Sequence, residues 1–276
     1  MRTLAACSHP TKSDEPQMNA NTRKLHDLGQ RIWLDNITRE MLNNGTLARY
    51  ITELSVTGLT SNPTIFEQAI ASGDLDDGAI QKLAAKGLPC EGIFFKLASE
   101  YCRRSQRKFM FELLVPPTDD QLVRAGGNKG VFDRQARPLL MQQALRVLQD
   151  AGIEPDVWKV EGLDSHADGE CMVQIARRGG RDQVGCIVLG RGADEAQVRS
   201  WLTVAAGVPG FIGFAVGRTS FWDAVAGYRT QTLTRVEAAT QIARRLREWV
   251  DVFEDGQAAR AAGADRTASV PPRPSG

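Results

Sequence analysis

The stretch "DVWKVEG", residues 156–162, decides how the rest of the sequence is interpreted. Val157, Trp158 and Val160 are residue types that favour a short, buried β-strand. Lys159 lies in the middle of this apolar run, and an ammonium group is costly to bury unless it is paired or loses its proton. The side chain of Lys159 is therefore expected either to extend to water or to take part in chemistry.

Further strand-like segments lie on both sides of this stretch and alternate with helix-like segments. They are "RIWLDNI" (31–37), "SVTGLTSNP" (55–63), "KFMFELLVPP" (108–117), "VGCIVLGRG" (184–192) and "GFIGFAVGR" (210–218). This alternation is typical of parallel βα units, and we predict an α/β, TIM-barrel-like fold with a parallel sheet and outer helices. A closed barrel of this type has eight strands. The sequence contains six, so the barrel is predicted to be incomplete, and an open doubly wound sheet would give the same pattern.

Polar side chains follow the apolar part of each predicted strand. They are Asp35, Asn62, Glu112, Lys159, Glu161, Arg191 and Arg218. In a (β/α) barrel, the C-terminal ends of the strands carry the active site. The sequence therefore predicts a functional site at this edge of the sheet.

The composition argues against several classes of function. The chain has 276 residues and a formal net charge of +1, which gives no support for nucleic acid or an anionic membrane as a partner. No apolar run reaches the ~20 residues that a membrane helix needs. The five cysteines are scattered, which favours a reducing cytoplasm over a disulfide framework. No set of His, Cys and carboxylate residues supports a metal site, so we predict neither a metal nor another cofactor.

Both ends of the chain lack a periodic apolar face. Residues 1–18 are predicted to be a disordered extension, with Met18 as an alternative translation start. Cys7 follows "LAA", as in a lipoprotein cleavage site, but too few apolar residues precede it for a signal peptide. Residues 255–276 are rich in Ala, Gly, Pro and Arg and are predicted to be a disordered tail.

The segment from about 19 to 100 resembles the beginning of a bacterial transaldolase. "QRIWLDNITREMLNNGTLARYITELSVTGLTSNPTIFEQAI" carries the resemblance, and "GLTSNPTIF" matches the first signature of that family. The resemblance implies that Asp35 is a general acid/base, that Asn62 contacts a substrate hydroxyl, and that Thr60 and Ser61 support it. Without the resemblance, "TSNP" is equally well explained as a turn with Asn62 or Ser61 capping a helix.

The segment from about 97 to 254 resembles the C-terminal half of a class I, tagatose-bisphosphate-type aldolase-like barrel domain. "RKFMFELLVPPTDDQL", "GIEPDVWKVEGLD", "GCIVLGRGAD" and "GFIGFAVGRTSFWDA" carry this resemblance. A similar domain occurs fused to the sugar kinase of inositol catabolism. The resemblance implies that Lys159 forms a Schiff base and that Glu112 transfers protons. It also implies that Gly190, Arg191, Gly217 and Arg218 hold phosphate.

Each of these roles has a structural alternative. A Schiff base needs a neutral amine, which apolar neighbours favour, but Lys159 could instead extend to water or pair with Glu161. Glu112 could be a structural partner of a basic side chain within the barrel. The two Gly-Arg segments could be tight turns between strand and helix, although glycines also let phosphate approach backbone N–H groups.

The two resemblances indicate one chemistry. We predict a Schiff-base aldolase or transaldolase-type enzyme of carbohydrate metabolism that acts on phosphorylated sugars. One alternative is the transaldolase of the pentose phosphate pathway, which converts sedoheptulose 7-phosphate and glyceraldehyde 3-phosphate to erythrose 4-phosphate and fructose 6-phosphate. Another is an inactive hybrid or a non-catalytic sugar-phosphate binder.

The same two resemblances predict the domain organisation. Residues 19–100 are transaldolase-like, and residues 101–254 are aldolase-like and complete one barrel-like domain. The open edges of an incomplete sheet leave room for a homo-oligomer.

Overall fold

The chain consists of two compact units, with the boundary between Ile93 and Phe94. The structure is a computed structural model, and it describes residues 18–71, 73–90, 92–96, 102 and 107–268. Residues 1–17, most of the predicted extension, lie outside the described residues, and so do residues 269–276. Each unit has a parallel sheet of its own.

The first unit is built from short elements. In chain order they are α1 (Ala20–Asp27), β1 (Ile32–Leu34), α2 (Arg39–Asn43), α3 (Thr46–Leu54), β2 (Val56–Leu59), α4 (Pro63–Ala71) and α5 (Asp77–Ala84). The side chains of Asn19 and Thr38 cap α1 and α2 by accepting hydrogen bonds from backbone N–H groups. The two strands predicted in this region are confirmed.

The two strands of the first unit run parallel. Ile32 lies beside Val56, and Leu34 lies beside Leu59. Because both strands point the same way, their C-terminal ends meet at one edge of this small sheet. Asp35 and Thr60 follow the strands at that edge.

The second unit contains β3 (Met110–Leu113), β4 (Val157–Glu161), β5 (Gly185–Leu189) and β6 (Phe211–Ala215). Its helices are α6 (Asp119–Arg124), α7 (Lys129–Gln135), α8 (Arg137–Asp150), α9 (His166–Ala176), α10 (Glu195–Ala206), α11 (Arg218–Arg229) and α12 (Arg235–Ala268). The strands are ordered β3-β4-β5-β6, and every neighbouring pair is parallel. Together with β1 and β2, they are the six strands that the sequence predicts.

The predicted α/β class, with parallel sheets and outer helices, is confirmed. Within the described residues, however, the strands form one two-stranded and one four-stranded sheet, and no ladder closes them into a barrel. The physical reason is the strand count, because four adjacent βα units provide half of the eight strands of a closed barrel.

One face of the four-stranded sheet carries the core of the second unit. Trp158 and Val160 have no exposed surface and share a core cluster with Met141 and Leu145 of α8. Burying a side chain of this size contributes about 1.5–3 kcal/mol. Since successive side chains of a strand point to opposite faces, Lys159 lies on the face opposite this core.

The end of the chain departs from the prediction. The sequence predicts a disordered tail from residue 255, but α12 continues to Ala268, and for residues 255–268 the prediction is wrong. Alanine is frequent in this segment and is the best helix former. The side chain of Gln257 also donates to the carbonyl of Phe211 (3.4 Å), and Arg260 donates to the carbonyl of Ala206 (3.2 Å).

Two short helices, α6 and α7, were not predicted. Their 6 and 7 residues are too few for an apolar period to stand out. Their caps are visible in the sequence, however. Thr118 and Gln121 form a capping box at the start of α6, and Asn128 caps α7. In the part of the chain that the structure describes, no helix is both long and apolar enough to span a membrane.

Candidate active site

Lys159 and Glu112 are neighbours on adjacent parallel strands. The register of β3 and β4 places the two residues side by side, and Lys159 Nζ donates a hydrogen bond of 2.6 Å to Glu112 Oε2. The exposed fraction of the side chain is 20% for Lys159 and 42% for Glu112. An amine and a carboxylate within hydrogen-bond reach of each other form the arrangement that imine chemistry with proton transfer needs.

Glu161, two residues after Lys159, is enclosed by donors from other loops. Only 1% of its side chain is exposed. Its Oε2 accepts a hydrogen bond of 2.8 Å from the backbone N–H of Val115, in the loop after β3. Its Oε1 lies 3.2 Å from Arg137 Nη1 and 2.7 Å from Arg191 Nε. Glu161 therefore fixes three segments at the C-terminal edge of the sheet and is not the ion-pair partner of Lys159.

Arg137 completes a network of two positive and two negative side chains, of which Arg137 and Glu161 are buried. It is 1% exposed, and its Nη2 donates to the carbonyl of Gly162 at 3.2 Å. Asp133 Oδ1 lies 3.6 Å from Arg137 Nε and 3.3 Å from Arg191 Nη1. Buried charges are tolerated when they are paired, as Arg137 and Glu161 are with each other. We call Glu161, Arg137, Arg191 and Asp133 the Glu161 network.

The loops after β5 and β6 carry the two Gly-Arg segments and lie against each other. Thr219 Oγ1 donates a hydrogen bond of 2.8 Å to the carbonyl of Ala193. Gly192 has a φ of +70°, and a Cβ atom added there would lie 2.7 Å from Arg218 Nη2. The positive φ favours glycine at 192, and any larger residue there would displace the end of the Arg218 side chain.

The two arginines of these segments differ in their surroundings. The charge of Arg191 is already balanced by Glu161 and Asp133. Arg218 is exposed at the start of α11 and has no carboxylate within ion-pair distance among the described residues. Of the two, Arg218 has the guanidinium group that is available to an anion.

A cleft of about 300 Å³ opens beside the Glu161 network. Its lining includes Lys129, Asp133, Arg134, Asp164, Arg191 and Trp201. Three of the lining side chains are joined by hydrogen bonds, because Asp164 Oδ1 accepts from Trp201 Nε1 (2.8 Å) and Gln197 Nε2 (2.9 Å). The lining carries both signs of charge, which suits a polar ligand better than an apolar one.

Other candidate chemistries find no support among the described residues. No group of three or more His, Cys, Asp or Glu side chains in the described part of the chain is arranged to hold a metal ion. Burial raises the pKa of the Cys186 thiol to about 12, so this cysteine is a packed core residue rather than a nucleophile.

The candidate residues of the first unit lie at the edge where β1 and β2 end. Asp35 and Thr60 are exposed, and the backbone N–H of Thr60 donates to the carbonyl of Leu34 at 2.7 Å. Asn62 Oδ1 accepts a hydrogen bond of 3.0 Å from the backbone N–H of Ile65, so Asn62 caps α4. Ser61 Oγ is buried and has no hydrogen-bond partner in the part of the chain that the structure describes.

The structure therefore assigns the predicted site residues to two groups. Lys159, Glu112, Gly190, Arg191, Gly217 and Arg218 belong to the second unit, whereas Asp35, Thr60, Ser61 and Asn62 belong to the first. Sequence reasoning missed Arg137 and Asp133 entirely. One available signal was their spacing, because Asp133 and Arg137 are an acid and a base four residues apart.

Comparisons with known proteins divide the chain in a similar way. Residues 32–151 match the family described as "Transaldolase/Fructose-6-phosphate aldolase". Residues 96–257 match the family described as "Uncharacterized protein conserved in bacteria (DUF2090)". Both resemblances identified in the sequence are confirmed, and the transaldolase match extends to residue 151, beyond the boundary near 100 expected from the motifs.

The curated relatives are transaldolases that match part of the chain. The transaldolase of Thermobifida fusca is 45% identical over 74 residues, which are 27% of this chain and 20% of that protein. The transaldolase of Saccharopolyspora erythraea is 30% identical over 141 residues, or 51% of this chain and 35% of that protein. The transaldolase of Mycobacterium tuberculosis is 29% identical over 142 residues, with the same coverage. The chain thus spans about a third or less of the length of these relatives.

Fold, site and comparisons together define a class: α/β proteins of parallel βα units that are related in part to transaldolases and aldolases. Within that class, the DUF2090 match covers more than half of the chain. The chain therefore belongs to this family of uncharacterized proteins conserved in bacteria.

Proposed function

We propose that this chain is a Schiff-base (class I) enzyme of the aldolase and transaldolase type that acts on phosphorylated sugars. The observation that supports it most is the 2.6 Å hydrogen bond between Lys159 Nζ and Glu112 Oε2 on adjacent strands. The scattered cysteines fit a cytoplasmic enzyme.

In this proposal Lys159 is the nucleophile. Its amine adds to the carbonyl carbon of a ketose phosphate, and loss of water from the carbinolamine gives an imine. Glu112 donates the proton that leaves with this water. It then accepts the proton of the sugar hydroxyl when the C–C bond breaks, and the electron pair of that bond moves into the imine to form an enamine.

The remaining candidate residues keep roles that follow from the family resemblances. Arg218 is proposed as the first phosphate contact because it lacks a carboxylate partner in the described part of the chain. Arg191, Gly190 and Gly217 are proposed as further phosphate contacts. Asp35 stays a proposed proton carrier, with Asn62, Thr60 and Ser61 as proposed substrate contacts, since the transaldolase match includes all four positions.

The proposal includes a TIM-barrel-like arrangement of the second unit. Four adjacent parallel strands with helices packed on one face support it. Glu112 is the last but one residue of β3 and lies beside Lys159, the middle residue of β4, and barrel enzymes carry their catalytic residues at the C-terminal ends of the strands.

Borohydride trapping tests the proposal directly. The protein is incubated with fructose 6-phosphate or dihydroxyacetone phosphate, treated with borohydride, and analysed by intact and peptide mass. We expect a stable adduct on Lys159 that is absent from Lys159→Ala. Lys108→Ala is the matched control, because Lys108 is 83% exposed and precedes β3, so it should keep the adduct. If the protein unfolds cooperatively but forms no adduct, the proposed enzymatic function is refuted.

A second candidate is the transaldolase reaction itself, which the match over residues 32–151 favours. A transaldolase transfers the dihydroxyacetone unit to an aldehyde acceptor, whereas an aldolase releases it. Incubation of fructose 6-phosphate with erythrose 4-phosphate should then give sedoheptulose 7-phosphate and glyceraldehyde 3-phosphate. Glyceraldehyde 3-phosphate that appears without the acceptor indicates the aldolase.

The non-catalytic alternative makes a different prediction. A sugar-phosphate binder would retain affinity for fructose 6-phosphate in Lys159→Ala and lose it in Arg218→Ala, with no turnover in either protein. Calorimetric titration of the two variants separates this outcome from the enzyme.

A further inference from the structure

The sheet face that carries Lys159 is only partly covered. The opposite face packs against helices through Trp158 and Val160. On the Lys159 face, Met110 is 39% exposed, Ile212 is 59% exposed, and the side chain of Glu112 is 42% exposed. Ile212 points to this face because it follows Phe211, which pairs with Cys186 on the core face. Parallel sheets are normally covered on both faces, so this face needs a partner.

The same sheet has two open edges. Among the described residues, β3 pairs only with β4, and β6 pairs only with β5. Exposed apolar side chains accompany both edges. They are Met110 on β3, Leu114 (53%) directly after β3, and Ile212 on β6. Unpaired strand edges with apolar surroundings are surfaces for association.

We propose that two copies of the chain associate through these edges, with β6 of one copy beside β3 of the other. The number of strands indicates that the partner is a second copy of the chain. The six strands of the described residues fall two short of a closed barrel, whereas four strands from the second unit of each of two copies make eight. A twofold axis parallel to the strands keeps all eight parallel and uses each edge once per copy, so the assembly closes as a dimer.

The dimer would also complete the candidate site. In a single copy, the Lys159 face is open to water, as the exposure of Glu112 and Ile212 indicates. In the dimer this face becomes the interior of the barrel, so the site is incomplete without the second copy. Self-association needs no turnover, and the inference therefore stands or falls independently of the proposed function.

The first measurement is sedimentation velocity of the full chain over a range of concentrations. We expect a species of twice the 30.2 kDa mass of the chain. Ile212→Lys should be a monomer, because it places a charge at the β6 edge. Val147→Lys should stay a dimer, because Val147 lies on α8 and has the same exposure as Ile212, 59%. Both substitutions are at exposed sites, so both variants should still unfold in a single cooperative thermal transition, which shows that a monomer arises from loss of the interface and not of the fold.

A second variant tests which edges meet. Met110→Lys alters the β3 edge and should also be a monomer, whereas a dimer formed through two β6 edges would tolerate it. A mixture of Ile212→Lys and Met110→Lys should recover a weaker heterodimer, because one of its two edge pairs is wild type. A monomeric wild type, an open-ended polymer, or a dimer that survives either substitution would overturn the proposal.

Discussion

Two glutamates on neighbouring strands of the same sheet have opposite surroundings. Glu161 is 1% exposed and is held by Val115, Arg137 and Arg191. Glu112 is 42% exposed, and Lys159 is its single ion-pair partner among the described residues. Both lie within two positions of Lys159 in the sheet, because Lys159 is in register with Glu112 and precedes Glu161 on β4.

The difference in burial between the two glutamates indicates that one stabilises the fold and the other is suited to catalysis. A carboxylate with donors on both oxygens from three loops cannot exchange partners without moving those loops, so Glu161 serves the fold. A half-exposed carboxylate with one partner can release that partner to a substrate at little cost. The Glu112–Lys159 pair is therefore the part of this edge that is suited to proton transfer.

The largest expected effect is that of Glu161→Ala. It leaves the buried Arg137 with only the more distant Asp133 as a counterion and removes the acceptor of the Val115 N–H group. Removing one partner of a buried ion pair costs about 3–5 kcal/mol. Urea unfolding followed by circular dichroism should show a loss of that size.

Glu112→Ala is the matched control for this measurement. It removes a carboxylate from the adjacent strand, but one that is 42% exposed. The expected loss is within about 1 kcal/mol. Equal losses in the two variants would mean that the two glutamates do not differ in the way their burial indicates.

A smaller effect is expected for Gly162→Ala, directly after Glu161. A Cβ atom there would lie 2.1 Å from the indole of Trp201. Trp201 is 4% exposed and donates to Asp164, so it cannot move aside freely. Overpacking of this kind costs about 1–3 kcal/mol. A thermal melt of Gly162→Ala should be compared with that of Gly213→Ala, where an added Cβ atom has ordinary space. Gly152→Ala is a poorer control, because Gly152 has a φ of +80° and alanine there would strain the backbone.

The strands could be predicted from the sequence because each is a run of apolar residues between turn signals. The Lys159–Glu112 pair could be predicted only through the family resemblance, because the two residues lie 47 positions apart in the sequence. The Glu161 network could not be predicted, because Arg137 at a helix start normally indicates a solvated residue. Its burial depends on the packing of α8 against the loop after β4, which no local pattern records.

Substitution of Glu112 should reduce the rate of imine formation much more than it reduces the stability of the fold. Glu112→Gln keeps the size of the side chain but removes its ability to exchange a proton at neutral pH. Loss of a general acid/base typically slows a reaction by about 10²–10⁴-fold. Imine trapping on Lys159 should slow within this range, while the free energy of unfolding changes by less than about 1 kcal/mol. An unchanged trapping rate would show that Glu112 is not the proton-transfer residue.

The smallest effect is expected at an ion pair outside this edge. Glu195 Oε1 lies 2.6 Å from Arg245 Nη1, and the hydrogen bond from Arg245 lowers the pKa of Glu195. A lowered pKa in the folded state means that the pair stabilises the protein above the unfolded-state pKa and loses this contribution as the pH falls through the folded-state pKa. Glu195→Gln should therefore lower the melting temperature slightly at pH 7 and not at all in strong acid. Since the pair is exposed, 1 M salt should also abolish the difference, whereas the loss in Glu161→Ala should persist, because buried pairs are screened much less.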